Sequence, residues 1–168
     1  MDTATALDLA LGLADRADVI TTARFRAHDL HVTTKPDLTP VSEADQAVER
    51  AIRDALAAFP DHAVLGEEYG HDPGADAGAS HRWIIDPIDG TNEFAEPPRF
   101  DWAIHVALWE RGVLTAAAVS MPALDIVFST DPPPVVPTIE RERPILVTSR
   151  SRNSYSAVRV ANELRCDV

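Results

Sequence analysis

The chain has 168 residues, 45% of them apolar, which is enough for one ordinary domain with a core of its own. With 15 basic against 27 acidic residues it carries a net charge of −12, which repels polynucleotide backbones and argues against a nucleic-acid polymer as partner. A single cysteine, Cys166, excludes an internal disulfide and a multi-cysteine zinc site and favours a cytoplasmic setting.

Across residues 4–27, Leu7, Leu11, Ala14, Ala17, Ile20 and Ala23 recur at three- and four-residue steps, which predicts a helix. Asp2, Asp8, Asp15, Arg16 and Asp18 interrupt it, so it is neither a signal peptide nor a membrane span. An extended run at 30–34 leads into a loop bounded by Pro36 and Pro40. Ser42 with Asp45 three residues on predicts a capped helix start, and Ala44, Ala47, Val48, Ala51, Ile52, Ala55 and Leu56 then share one apolar face. From residue 63 the period becomes extended. Residues 63–66 form a short apolar strand, a loop spans 70–80, and residues 83–86 read as a second buried strand. Strands at 102–109, 113–121 and 126–129, joined by short turns, predict an antiparallel meander. The proline-rich stretch 131–144 marks a boundary, after which 145–148 reads as a strand and 155–164 as a helix. This divides the chain into an α+β domain at 1–135 and, at 136–168, a linker with the first strand and helix of a further α/β domain.

Chemistry concentrates where two strands end. Gly66-Glu67-Glu68 closes one, and Asp86-Pro87-Ile88-Asp89-Gly90-Thr91 closes the next. Pro87 fixes its own backbone angle and Gly90 permits a sharp turn, so both aspartates can face one side. Carboxylates from Glu67, Asp86 and Asp89, with a backbone carbonyl and water, make the all-oxygen set that magnesium prefers. Neither histidine nor cysteine stands at comparable spacing, which argues against zinc. Taken alone, an Asp-x-x-Asp-Gly turn is also an ordinary solvated strand end.

The longer string is more restrictive. Trp83-Ile84-Ile85-Asp86-Pro87-Ile88-Asp89-Gly90-Thr91, with Gly66-Glu67-Glu68 upstream and Asp45 on the second helix, resembles the inositol monophosphatase superfamily, lithium-sensitive and magnesium-dependent phosphatases of small phosphorylated metabolites. The resemblance implies the N-terminal part of a layered α/β/α/β/α sandwich, two helices on a largely antiparallel sheet, truncated in its second α/β domain. It implies that Glu67, Asp86 and the Ile88 carbonyl hold a first Mg2+, that Asp86 and Asp89 share a second, and that Glu67 lies near a third. Thr91 and Asp45 would orient and deprotonate the attacking water, and the N–H groups of Gly90 and Thr91 would meet a phosphate oxygen. Glu68 would support the site. Lys35 would screen it or be a plain surface lysine, and Arg99 would meet a second phosphate or be a plain surface arginine. His105 reads as a hydrogen-bonded strand histidine.

Two branches of the family compete. Ala23-Arg24-Phe25-Arg26 and residues 34–41 resemble the actinobacterial histidinol-phosphate phosphatases, whereas Asp89-Gly90-Thr91-Asn92-Glu93-Phe94 and residues 101–109 resemble the CysQ branch, whose substrate is 3′-phosphoadenosine 5′-phosphate. The second segment adjoins the site, so the bisphosphate nucleotide is the expected substrate, with histidinol phosphate or inositol phosphate as the alternative. The aspartate that completes the second metal in the family lies in the domain not present here. A homo-oligomer, or a separate chain supplying that half, is therefore expected, and a non-catalytic remnant binding metal or a partner is the third reading.

Overall fold

The computed structural model describes residues 1–71, 79–148 and 155–167. Its first helix, α1 (Thr3–Arg24), starts where the Asp2 side chain accepts the Thr5 N–H at 2.9 Å. The buried stripe is Ala6, Leu7, Ala10, Leu13, Ala14, Ala17 and Thr21, while Leu11 and Ile20 pack only along its border. The helix ends three residues earlier than expected, because Phe25 turns to an extended ψ and Arg26 takes a left-handed φ of 62°. A hairpin of β1 (Val32–Thr34) and β2 (Pro40–Ser42) follows, and its second strand feeds directly into α2 (Glu43–Leu56).

The Ser42 side chain accepts the N–H groups of Ala44 and Asp45, and the Asp45 carboxylate reaches back to the Ser42 N–H at 2.8 Å. This reciprocal cap is worth about 1 kcal/mol to the helix start. The inward face of α2 carries Ala44, Val48, Ile52 and Leu56 as expected, but also the two buried carboxylates Asp45 and Glu49. Buried acids are costly unless held, so both demand a local reason.

One sheet takes both helices on the same face. It comprises β3 (His62–Gly66), β4 (Gly70–His71), β5 (His81–Asp89), β6 (Ala103–Glu110), β7 (Val113–Met121) and β8 (Ile126–Ser129), in the order β4-β3-β5-β6-β7-β8. β3 and β5 run parallel and every other neighbouring pair is antiparallel, so the largely antiparallel α+β class holds. Ile104, Val106 and Leu108 of β6 alternate inward, as do Ala116, Ala118 and Ser120 of β7. Small residues on β7 meet the alanine-rich stripe of α1, letting helix and sheet approach closely. The loop expected at 70–80 opens instead with β4, whose Gly66↔Gly70 and Leu65↔His71 pairs fold it back on β3; residues 72–78 lie outside the described residues.

The chain divides into two compact units, Met1–Pro134 and Val135–Val168. In the second, a helix, α4 (Tyr155–Leu164), buries Ala161. The strand expected at 145–148 does not form: Ile145 makes one isolated bridge to Asp167, and Val147 is exposed. An apolar run becomes a strand only when a neighbour pairs with it, and among the described residues none does so beyond that bridge. No helix among the described residues is long and apolar enough to cross a membrane.

Candidate active site

Parallel pairing brings the two acidic segments together. β3 and β5 run side by side to the pair Gly66↔Ile85, and the Glu67 N–H donates to the Ile85 carbonyl at 3.2 Å. Glu67 and Asp86 therefore leave adjacent strand ends as neighbours. Beyond Asp86 the register with β6 shifts, a bulge that carries Pro87 and Ile88. Ile88 plugs the core with its side chain while its carbonyl turns toward Thr91. Gly90 then takes φ 91°, and a Cβ there would stand 3.2 Å from the Asp101 carbonyl oxygen, so the residue is required both for the turn and for the close approach. A short helix, α3 (Thr91–Ala95), follows.

Asp86 is the electrostatic centre. Burial, then the charge of Glu67 and a proton-sharing contact with it, and then Asp89 and Asp45, push its carboxyl up to about 8. Its Oδ1 is buried without a hydrogen-bond partner. Two carboxylates cannot donate to each other, so Glu67 and Asp86 meet by sharing a proton or by sharing a cation.

Thr91 Oγ1 lies 3.0 Å from Asp45 Oδ1 and 3.2 Å from the Ile88 carbonyl, within donating reach of both. Asp45 thus does two jobs: Oδ2 caps α2 and Oδ1 faces Thr91. Burial raises the Asp45 carboxyl above its ordinary range, against the lowering by hydrogen bonds from Ser42 and Thr91.

Lys35, at the tip of the β1–β2 hairpin, places Nζ 2.9 Å from both Glu67 Oε1 and Glu68 Oε1. Burial opposes its charge, but those two carboxylates outweigh the penalty and raise its pKa. Of its partners, Glu68 is 4% exposed at the side chain and Glu67 43%. Burial raises the Glu68 carboxyl, with Lys35 working against it. Asp89 is 65% exposed and lies 3.3 Å from His105 Nε2. His105, which pairs across the strands with Asp86, has no hydrogen bond at that nitrogen and belongs to the rim of the site rather than to a satisfied strand. Alternation along β6 placed it off the core, but only the β5–β6 register puts it beside two aspartates. Arg99 donates from Nε and Nη2 to the two carboxylate oxygens of Asp101.

Among the described residues, no three histidine, cysteine, aspartate or glutamate side chains converge closely enough to hold a metal ion as they stand. The donors nonetheless fit a hard cation in kind. They are all oxygens, one buried carboxylate oxygen has no donor, and the excess negative charge is met by an ammonium on Glu67. Glu49 was not singled out by sequence; it lies on the inward face of α2, four residues after Asp45, and that spacing was its only signal.

Residues 2–132 match the model of the inositol monophosphatase family. The chain is 50% identical over 119 residues to a histidinol-phosphatase of Mycobacterium tuberculosis, covering 70% of this chain and 44% of that protein. It is 46% identical over 92 residues to a 3′-phosphoadenosine 5′-phosphate phosphatase of Mycobacterium bovis, covering 51% and 34%. The crystal structure of the suhB protein of Bartonella henselae superposes with a TM-score of 0.66 at 28% identity, covering 74% of this chain and 48% of that one. The Thermotoga maritima IMPase gives 0.65 at 28%, covering 74% and 47%. The chain thus spans about half the length, or less, of the proteins it matches. A match over residues 2–132 reaches from α1 to the end of the sheet and takes in both acidic strand ends, so the chain belongs to the inositol monophosphatase family.

Proposed function

We propose that this chain carries the water-activating half of a magnesium-dependent phosphomonoesterase acting on a small phosphorylated metabolite. The observation that carries the reading is the Thr91–Asp45 hydrogen bond set beside the Glu67–Asp86 pair, whose buried Oδ1 has no donor. The family is one of metal-dependent phosphatases, and the donor set favours magnesium over zinc. Glu67, Asp86, Asp89 and the Ile88 carbonyl would hold the cation. Bound there, it supplies charge neutralisation for the phosphate and a lowered pKa for attacking water. The chain's own residues do the rest. Asp45 Oδ1 takes the proton of Thr91 Oγ1 as that oxygen takes one from the water. The water oxygen bonds to phosphorus as the ester P–O bond breaks, and the leaving alkoxide takes a proton from solvent.

For the substrate, histidinol phosphate is favoured by the longer likeness, 119 residues against 92. The nucleotide 3′-phosphoadenosine 5′-phosphate is the second reading, favoured by residues 89–94 and 101–109 and by the relative that acts on it. Inorganic phosphate release with Mg2+ from histidinol phosphate, 3′-phosphoadenosine 5′-phosphate and inositol 1-phosphate, by wild type and Asp86→Asn, tests the proposal. Release from at least one substrate, lost in the variant, is expected. Magnesium uptake absent from wild type by calorimetry would overturn the reading.

A further inference from the structure

Glu49 is a fully buried carboxylate that the proposed chemistry does not use, at 0% exposure on the inward face of α2. Its Oε2 accepts the Glu68 N–H at 2.7 Å and its Oε1 accepts the Tyr69 N–H at 3.1 Å. Arg53, one turn further along α2, donates to Oε1 from Nε and Nη2, both at 2.9 Å, and also donates to the Gly70 carbonyl. On the other side the carboxylate presses against Gly66, where a Cβ would fall 1.9 Å from Oε1 and 2.5 Å from Oε2. Glu49 therefore grips the backbone on both sides of Glu67, by contact at Gly66 and by hydrogen bond at Glu68.

Space-filling alone does not account for a carboxylate here, since a buried ion pair stabilises no better than well-packed apolar groups of the same volume. What the ion pair supplies is direction. Residues 67–69 turn from β3 into β4, the Glu68 and Tyr69 N–H groups point inward, and two charge-assisted acceptors fix both. We propose that Glu49, braced by Arg53, is a positioning residue that sets the backbone of the Glu67 turn and thereby the divalent-cation affinity of the site. The inference rests on the reading of Glu67 as a cation ligand and extends it to a residue that touches no cation.

The test uses the whole chain with Glu49→Gln and Arg53→Lys, Glu49→Ala being the variant most prone to misfold. Amide hydrogen exchange is followed in cation-free protein, and Mg2+ affinity by calorimetry at a temperature where circular dichroism shows each variant folded. Glutamine keeps the volume but turns an amide donor toward one of the two inward N–H groups. The expected result is exchange at Glu68 and Tyr69 faster by about tenfold or more, unchanged protection along α1, and Mg2+ affinity weaker by about 10- to 100-fold. A residue that only filled space would leave Mg2+ affinity unmoved in Glu49→Gln. Wild-type affinity in both variants, or unchanged exchange at Glu68 and Tyr69, overturns the proposal. If wild type itself takes up no Mg2+, the reading of the site fails, and the affinity claim falls with it. If wild type binds and Asp86→Asn does not, the reading stands and the Glu49 variants alone decide.

Discussion

Replacing Asp86 by asparagine should strengthen the fold while destroying the site. Between 3.8 and about 8 the folded chain holds a proton on Asp86 that the unfolded chain has released. Stability from this group is therefore complete below 3.8 and is lost as pH rises toward 8. Each pH unit in that window is worth about 1.4 kcal/mol, giving a ceiling of about 6 kcal/mol. Solvent reaching the half-buried carboxyl cuts this to on the order of 2 kcal/mol. Asparagine removes the penalty, and its N–H can donate to Glu67 as the protonated acid does. In EDTA at pH 7.5, Asp86→Asn should melt higher than wild type by about 4–8 °C, with the gap closing near pH 4. In millimolar Mg2+ the order should reverse, because wild type gains binding energy that the variant cannot. A variant that melts at or below wild type in EDTA at pH 7.5 would refute the electrostatic account of the strand ends.

Thr91→Val keeps the shape but leaves Asp45 Oδ1 and the Ile88 carbonyl without their donor, at a cost of about 1–3 kcal/mol in a urea melt. Its phosphate release should fall by about 10²- to 10⁴-fold, whereas a merely structural role would spare turnover in the folded fraction. Gly66→Ala drives a Cβ into a carboxylate that Arg53 and two N–H groups hold, and should cost about 3–5 kcal/mol by denaturant unfolding. Asp18 accepts from Ser120 Oγ at 2.8 Å, has a buried Oδ1 without a partner, and has its carboxyl raised chiefly by burial. Asp18→Asn should therefore gain about 0.5–1 kcal/mol at pH 7, with the gain vanishing below pH 4 in thermal melts.

How much of this was legible in the sequence depends on the range of the interaction. The cap at Ser42, the apolar face of α2 and the meander of β6, β7 and β8 rest on neighbours a few residues apart, and the pattern carried them. The strand expected at 145–148 failed for the opposite reason, since its propensity is local but its pairing is not. The acidic strand ends were legible as a motif, and their meeting required the parallel β3–β5 register. Glu49, a four-residue step from Asp45, and His105, read as a hydrogen-bonded strand histidine, carry only a local pattern, and that pattern does not show what they face. Glu49 matters through N–H groups 19 and 20 residues away, and His105 through the strand that lies beside it. The two share a logic. A side chain that is to bind a cation must be free to do so and therefore has few restraints of its own, and the two proposed ligands Glu67 and Asp89 are the most exposed acids of the site. Their aim has to come from the backbone beneath them. That backbone is fixed by residues buried completely, among them Gly66 by its missing side chain, Glu49 by its charge and Ile88 by its bulk. Substitutions that spare every acidic group facing the cleft, yet disturb that buried layer, are therefore expected to weaken cation binding as surely as loss of a ligand.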